Sequence, residues 1–317
     1  MRSAFFNALL AAAEDDPRIN LVTADLGFGV VEPFAKRFPD RFLNVGVAEQ
    51  NMTGIAAGLA MSGKTVFTYS IANFPTLRCL EQIRNDVCYH RADVKVVAVG
   101  GGFSYGALGM THHATEDLAI MRALPEMTVI APGDPIEVEL ATRAIAATPG
   151  PCYLRLGRAG EATIHRGPID FELGKAIRLR EGEDVTLIST GAMLETCAKV
   201  TELLAQRGIH SRLLSMHTLK PLHDEAIICA ASETGGVVTV EEHSVLGGLG
   251  GAVAEVLAES GLSPLRFKRI GLPSEFASYV GSQEYLRARY GLSESAIAHE
   301  VLALIDAGAS AVRRRYA

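Results

Sequence analysis

The 317-residue chain is short of several things, and each shortage excludes a class of protein. Its five cysteines (Cys79, Cys88, Cys152, Cys197, Cys229) are scattered and odd in number, and none forms a CxxC pair. Neither a disulfide framework nor a zinc ribbon is indicated, and the pattern fits a reducing cytoplasm. There is no excess of positive charge: the net charge is −6, which argues against a general nucleic-acid role. Arg313, Arg314 and Arg315 make only a short basic end, read as solvated. No run reaches the roughly 18 apolar residues of a membrane helix. AFFNALLAAA (residues 4–13) has the length of a signal-peptide core, but Asn7 interrupts it and Glu14-Asp15-Asp16-Pro17 follows. An amphipathic first helix stopped by Pro17 is the better reading. There is no internal repeat at a period of about 20–50 residues.

What is present is a well-packed globular composition, 48% hydrophobic and 21% charged, with length for two domains. Strand-like runs alternate with helical ones. Residues 19–23, 64–68, 94–99, 129–131 and 152–156 read as strands, and 135–147 as a helix. This alternation predicts a parallel α/β sheet. From about 159 to 184 the pattern weakens into a polar, glycine-containing linker with room for an edge strand. A second α/β unit follows, with strands at 184–189, 211–216, 236–241 and 265–270 and helices at 193–207, 222–231, 251–260 and 293–305. The expected architecture is α/β, two domains, each a mainly parallel sheet flanked by helices. The expected boundaries are 1–160, a linker over 161–183, and 184–317.

Three stretches carry candidate chemistry. In NVGVAEQNMTGIAAGLAMSG (residues 44–63), Met52, Ile55, Ala56, Leu59 and Ala60 have helical spacing. Glu49 then stands in the first turn, on a face of small residues. It is either a dipole-complementing first-turn acid or a carboxylate held there for chemistry, since a bare buried one is unfavourable. In LGMTHHATED (108–117), His112 and His113 sit on a loop after a strand, where α/β sheets gather their sites. A histidine there exchanges protons near neutral pH or simply caps a turn. GGLGG (247–251) lies between a strand and a helix. Without GxGxxG spacing it reads as a tight turn rather than a phosphate cradle. The preceding VEEHS lacks HExxH spacing, so no metal site is expected, and His243 reads as a structural hydrogen-bonding residue.

Taken in order, TADLG (23–27), VAEQNMTGIAAGLA (47–60), LEQIRND (80–86), THHATED (111–117), GPCYLRLGR (150–158) and VEEHSVLGGLGGAV (240–253) resemble the pyrimidine-binding and C-terminal domains of the transketolase family. The resemblance covers nearly the whole chain. It implies thiamine diphosphate as cofactor, with Mg2+ bound mainly by a separate domain through a GDG motif that this chain does not have. It therefore implies the C-terminal subunit of a split transketolase, a transferase active only with an N-terminal subunit, as an α2β2 assembly in the cytoplasm with no nucleic acid or membrane partner. The resemblance assigns Glu49 to the ring nitrogen of the aminopyrimidine, where it promotes ionisation of the cofactor. It assigns Asp25 to the cofactor at the dimer interface, His112 to the protons of the donor hydroxyls, and Arg158 to substrate phosphate through its bidentate fork.

The departures from that family concern the substrate. A phenylalanine usually stacks on the pyrimidine, but Ala72 falls at that position, and Phe74 or Tyr69 stands nearby to supply the face instead. His113 replaces a glutamine beside the catalytic histidine and counts as a substrate-binding candidate. Leu108, Gly29 and Gly100 replace an Asp, a Ser and a His that contact sugar phosphates. The expected activity is transfer of a two-carbon ketol unit from a ketose donor to an aldehyde or ketone acceptor, with a non-standard sugar or sugar derivative as substrate. Three other readings remain. The β subunit of a 2-oxo acid dehydrogenase would decarboxylate a 2-oxo acid. A non-catalytic paralogue would leave a reconstituted pair inactive. A nucleotide module built on GGLGG would bind NAD.

Overall fold

A computed structural model describes residues 1–158, 160–262 and 266–315, with side chains described to residue 306. The expected strand start at Leu265 and the side chains of Arg313, Arg314 and Arg315 lie outside the described residues. The first half runs α1 (Arg2–Asp15), β1 (Ile19–Thr23), α2 (Glu32–Arg37), β2 (Phe42–Asn44), α3 (Glu49–Met61) and β3 (Thr65–Ile71). A helical stretch over 77–88 follows. It contains α4 (Leu80–Gln82) and ends in a π-helical turn, Ile83–Cys88. Then come β4 (Val94–Val99), α5 (Asp117–Ala123), β5 (Thr128–Ile130), α6 (Pro135–Ala147) and β6 (Cys152–Leu156). The second half runs β7 (Ile177–Arg180), β8 (Val185–Ser189), α7 (Met193–Ala205), β9 (Ser211–Ser215), β10 (Thr218–Lys220), α8 (Asp224–Glu233), β11 (Val237–Ser244), α9 (Leu249–Glu259), β12 (Phe267–Leu272), α10 (Gln283–Arg289) and α11 (Glu294–Arg315).

Two sheets result, ordered β10-β5-β6-β4-β3-β1-β2 and β12-β11-β8-β9-β7. Both are parallel except for one antiparallel edge strand each, β10 on β5 and β7 on β9. β7 is the edge strand for which the linker had room. β10 belongs to the second half of the sequence but completes the first sheet, so the two halves are interlocked rather than merely adjacent.

β1, β4 and β6 are buried at every residue, as parallel strands covered on both faces must be. Alternation sorts their side chains. Val97 and Val99 face α1 and α6 with Phe5, Leu9, Val138 and Ile145. Val94 and Val96 face α3 and the 77–88 helix with Met52, Ala56, Ile83 and Val87. That second layer continues into α9 through Leu249 and Val253. A third cluster packs β8 and β11 against α7 and α11, and Phe103 of the first half is inserted into it.

Candidate active site

The expected site residues lie past the carboxyl ends of the parallel strands, where an open α/β sheet leaves its crevice. Asp25 follows β1, Glu49 opens the helix after β2, and Phe74 follows β3. His112 and His113 follow β4, and Arg158 follows β6. Asn44, at the end of β2, ties two of these turns together. Its side-chain carbonyl accepts from the Asp25 N–H at 2.9 Å and the Gly46 N–H at 3.0 Å, and its amide donates to the Asp25 carboxylate at 3.2 Å. Asp25 itself is exposed. The start of α3 is thereby fixed beside β1.

Glu49 is 3% exposed. The Arg78 guanidinium donates to its Oε2 at 2.9 Å. Arg78 also lies over the Phe74 ring, 4.5 Å from its centroid, a cation–π contact. Phe74 meets the His112 ring edge-on at 5.2 Å. His112 is 6.4 Å from the Tyr105 ring, and the Arg158 guanidinium lies 5.0 Å above Tyr105. An unbroken line of side chains thus runs Glu49, Arg78, Phe74, His112, Tyr105, Arg158. Burial, and secondarily the charge of His113, pull the His112 pKa below its usual value. Burial first of all raises that of Tyr105, against the opposing pull of Arg158.

Beside this line is a cleft of about 490 Å³, lined by Asn73, Phe74, Arg78 and His113 from the first half and Phe276 and Ala277 from the second, among others. It adjoins a smaller one of about 300 Å³, sharing Thr115, Glu116 and Phe276. Glu49 and His112 are not part of the lining of either. They border the larger cleft through Arg78 and Phe74.

One expectation is corrected by the strand alternation. Tyr69 is not at the cleft. It points with Phe67 to the opposite face of the sheet, 1% exposed, stacked on Phe5 at 6.0 Å and edge-on to Phe6 at 4.9 Å. Phe74, three residues past the strand end, is free of that alternation and lines the cleft. His113 is 3% exposed; its Nε2 is 3.1 Å from the Gly106 carbonyl, and its ring meets Phe103 edge-on. Gly100 has a structural reason to lack a side chain: a Cβ there would lie 2.2 Å from the Tyr105 ring, which fills the space. Arg78, Asn73, Tyr105 and Asn44 were not singled out in the sequence, and no spacing rule marks them. Asn73 holds the histidine loop by donating to the carbonyls of His113 at 2.7 Å and Thr111 at 3.3 Å.

The glycine cluster is a tight turn whose helix end is already occupied. Glu241 accepts from the Leu249 and Gly250 N–H groups, each at 2.7 Å, so these donors are not free for a phosphate. His243 is fully buried, with Nδ1 2.7 Å from the Ser244 carbonyl and Nε2 accepting from the Ala119 N–H at 3.3 Å. Among the described residues, no group of three or more His, Cys, Asp or Glu side chains is arranged to hold a metal ion. No helix in the described residues is long and apolar enough to cross a membrane.

Two family models match the chain: the transketolase pyrimidine-binding domain over residues 1–160 and the transketolase C-terminal domain over 174–297. The chain belongs to the transketolase family. It is 39% identical over 306 residues to one of the two kinds of chain of an apulose-4-phosphate transketolase from Phocaeicola vulgatus, covering 96% of this chain and 97% of that one. It is 42% identical over 305 residues to the 6-deoxy-6-sulfo-D-fructose transketolase subunit SqwH of a Clostridium species, covering 95% of this chain and 94% of that one. Among solved structures it superposes with TM-score 0.87 and 38% identity on one described as a split gene transketolase, inactive beta4 tetramer, covering 96% and 97% of the two chains. Along nearly its full length, this transketolase-family chain corresponds to one subunit of split enzymes.

Family membership implies thiamine diphosphate, and the pyrimidine end of that cofactor suits the residues present. Glu49 offers a buried carboxyl group to a ring nitrogen, and Phe74 offers an aromatic wall. For the diphosphate end, the described residues show no matching acidic cluster, and the α9 N-terminus is taken by Glu241.

Proposed function

We propose that this chain is the C-terminal subunit of a two-chain, thiamine diphosphate-dependent transketolase-type transferase. It moves a two-carbon ketol unit from a ketose donor to an aldehyde or ketone acceptor, and works with an N-terminal subunit as a cytoplasmic α2β2 enzyme. The partner carries most of the diphosphate and Mg2+ contacts. Residues 1–160 form the pyrimidine-binding domain, 161–183 the linker and 184–317 the C-terminal domain. The observation that carries this reading is the buried Glu49 carboxylate at the start of α3, joined through Arg78 and Phe74 to His112.

Thiamine diphosphate, when bound, supplies an acidic thiazolium carbon that adds to the donor carbonyl. Glu49 holds the aminopyrimidine nitrogen in a dry setting, where a hydrogen bond to a charged group is strong. Phe74 packs on the pyrimidine face, and Asp25 contributes from the turn after β1. His112, kept neutral near pH 7 by its lowered pKa, accepts and returns hydroxyl protons of the donor. His113 lines the substrate cleft. Arg158 binds an anionic end of the substrate.

The substrate is a ketose outside the ordinary sugar phosphates. The replacements Gly29, Gly100 and Leu108 support this. So do the relatives, whose names carry apulose 4-phosphate and 6-deoxy-6-sulfofructose. The inactive state of the related beta4 tetramer supports the need for a second kind of chain.

The test is hydrogen–deuterium exchange at C2 of the thiazolium in the reconstituted pair. Glu49→Gln is expected to slow it by about 10²-fold or more, with assembly retained. Exchange at the normal rate in that variant would remove Glu49 from its role.

A further inference from the structure

We propose that the second domain positions the histidine loop of the first: Glu242 of β11, with Gln283 and Arg287 of α10, holds residues 103–113 and thereby sets the place of the His112 imidazole. The family reading assigns the second domain no part in the site, and the sequence offered none.

The contacts converge on one carboxylate. Glu242 is 3% exposed. Its Oε1 accepts the Phe103 N–H at 3.1 Å, at the root of the loop. Its oxygens also accept from the Gln283 amide at 3.1 and 2.8 Å and from the Arg287 guanidinium at 2.7 Å. The same Gln283 amide lies 3.3 Å from the Ser104 hydroxyl. The Phe103 ring is buried within the second domain's own core, beside Tyr290, and its other contact is the His113 ring at 5.1 Å. Farther along the loop, the Gly281 N–H donates to the Gly106 carbonyl at 3.3 Å, the same carbonyl that pairs with His113 Nε2. The approach is close enough that a Cβ on Gly106 would lie 2.7 Å from the Gly281 carbonyl and 2.5 Å from Leu286.

His112 follows directly, its N–H bonded to the Gly109 carbonyl at 2.9 Å. From the first domain, Asn73 secures the far end of the loop. The root and the Gly106 turn are held by the second. Glu242, Gln283 and Arg287 are positioning residues: no contact joins them to His112 itself. A side chain held from two domains keeps its geometry only while both holds are made.

The test separates positioning from stability. In the full-length chain, the labelled imidazole signals of His112 are followed by NMR, assigned with His112→Asn, with the exposed His90 and His299 as references. Glu242→Ala removes the acceptor for the Phe103 N–H and is expected to shift and broaden the His112 and His113 signals while the references stay. Glu242→Gln keeps an oxygen for that N–H but no charge for Arg287. It is expected to restore the His112 signals although Tm falls in both variants. Unchanged His112 signals in Glu242→Ala, or equal shifts in both variants, overturn the proposal and leave Glu242 a stability residue only. Should Glu242→Ala fail to fold, Gly106→Ala presses the loop off Gly281 with the Glu242 network intact, and unmoved His112 signals there overturn it equally. The consequence for catalysis rests on the functional reading of His112. The readout needs no cofactor or substrate, so the two ideas fail separately.

Discussion

At the N-terminus of α9 the Glu241 carboxyl group accepts two short backbone hydrogen bonds, which favour its charged form, yet burial outweighs them and raises its pKa from 4.5 to about 7. A carboxylic acid whose pKa is higher folded than unfolded binds more protons in the native state between those values. Its contribution is complete below about pH 4.5 and is lost as the pH rises towards 7. The size of the shift corresponds to about 3 kcal/mol. Glu241→Gln is neutral throughout and keeps one oxygen for the helix end. It is expected to flatten Tm against pH between 4.5 and 7 relative to the parent. An equal slope in both proteins would place the titration elsewhere. Glu49 is the other buried carboxylate at a helix start, and its setting differs: it has a guanidinium partner that is half-exposed, so its charge is matched at the protein surface beside the cleft.

Among the elements, α6 does the most for chain organisation outside the site. Pro135 opens it, and Asp134, fully buried, caps it by accepting the Glu137 N–H at 2.8 Å, as N-terminal helix signals predict. The second Asp134 oxygen accepts the N–H groups of Ile164 at 2.9 Å and His165 at 3.1 Å, while His165 Nε2 meets Glu137 at 2.8 Å. Burial lowers the His165 pKa, but the hydrogen bond to Glu137 and its charge outweigh this and leave it raised. One helix end thus anchors the linker. Asp134→Ala leaves three buried N–H groups short of an acceptor and is expected to lower stability by about 2–4 kcal/mol, read from urea midpoints. Limited proteolysis should then cut within 160–176 before the domains unfold. A linker as resistant as the parent's would mean that Asp134 acts on α6 alone.

On the scale of the molecule, the described residues supply a site for the pyrimidine end of thiamine diphosphate and none recognisable for the rest. A cofactor held at one end only binds weakly, because the ordering of the whole molecule is opposed by few contacts. Calorimetric titration of thiamine diphosphate with Mg2+ is therefore expected to show tight binding to the chain mixed with an N-terminal transketolase subunit and none to the chain alone. Tight binding to the lone chain would put the diphosphate site here and undo the half-site reading. Absence of binding with the partner would favour a non-catalytic paralogue. The interlock of the two halves through β10 and the Glu242 network means that the partner meets one body rather than two loosely joined domains.

Much of the architecture was legible because it rests on local rules. β1, β4, β6 and α6 fall at their expected residues: continuous apolar runs make doubly covered strands, and Asp-Pro opens a helix. β2, β10 and α10 are short, weakly patterned elements, and only their packing neighbours make them regular. The motifs bearing Glu49, His112 and Arg158 stood out by residue type and order, and the sheet topology brings them to one crevice. What the sequence by itself determined was the set of parallel strands, the helices between them and the ends of the strands where chemistry gathers, since period and capping are properties of neighbouring residues. The tertiary structure alone decided that Tyr69 faces away while Phe74 faces in, that Arg78 meets Glu49, and that Glu242 reaches the root of the histidine loop. Those outcomes depend on which face a strand turns to its layer and on contacts between residues 29 to 139 positions apart, and no local pattern encodes either.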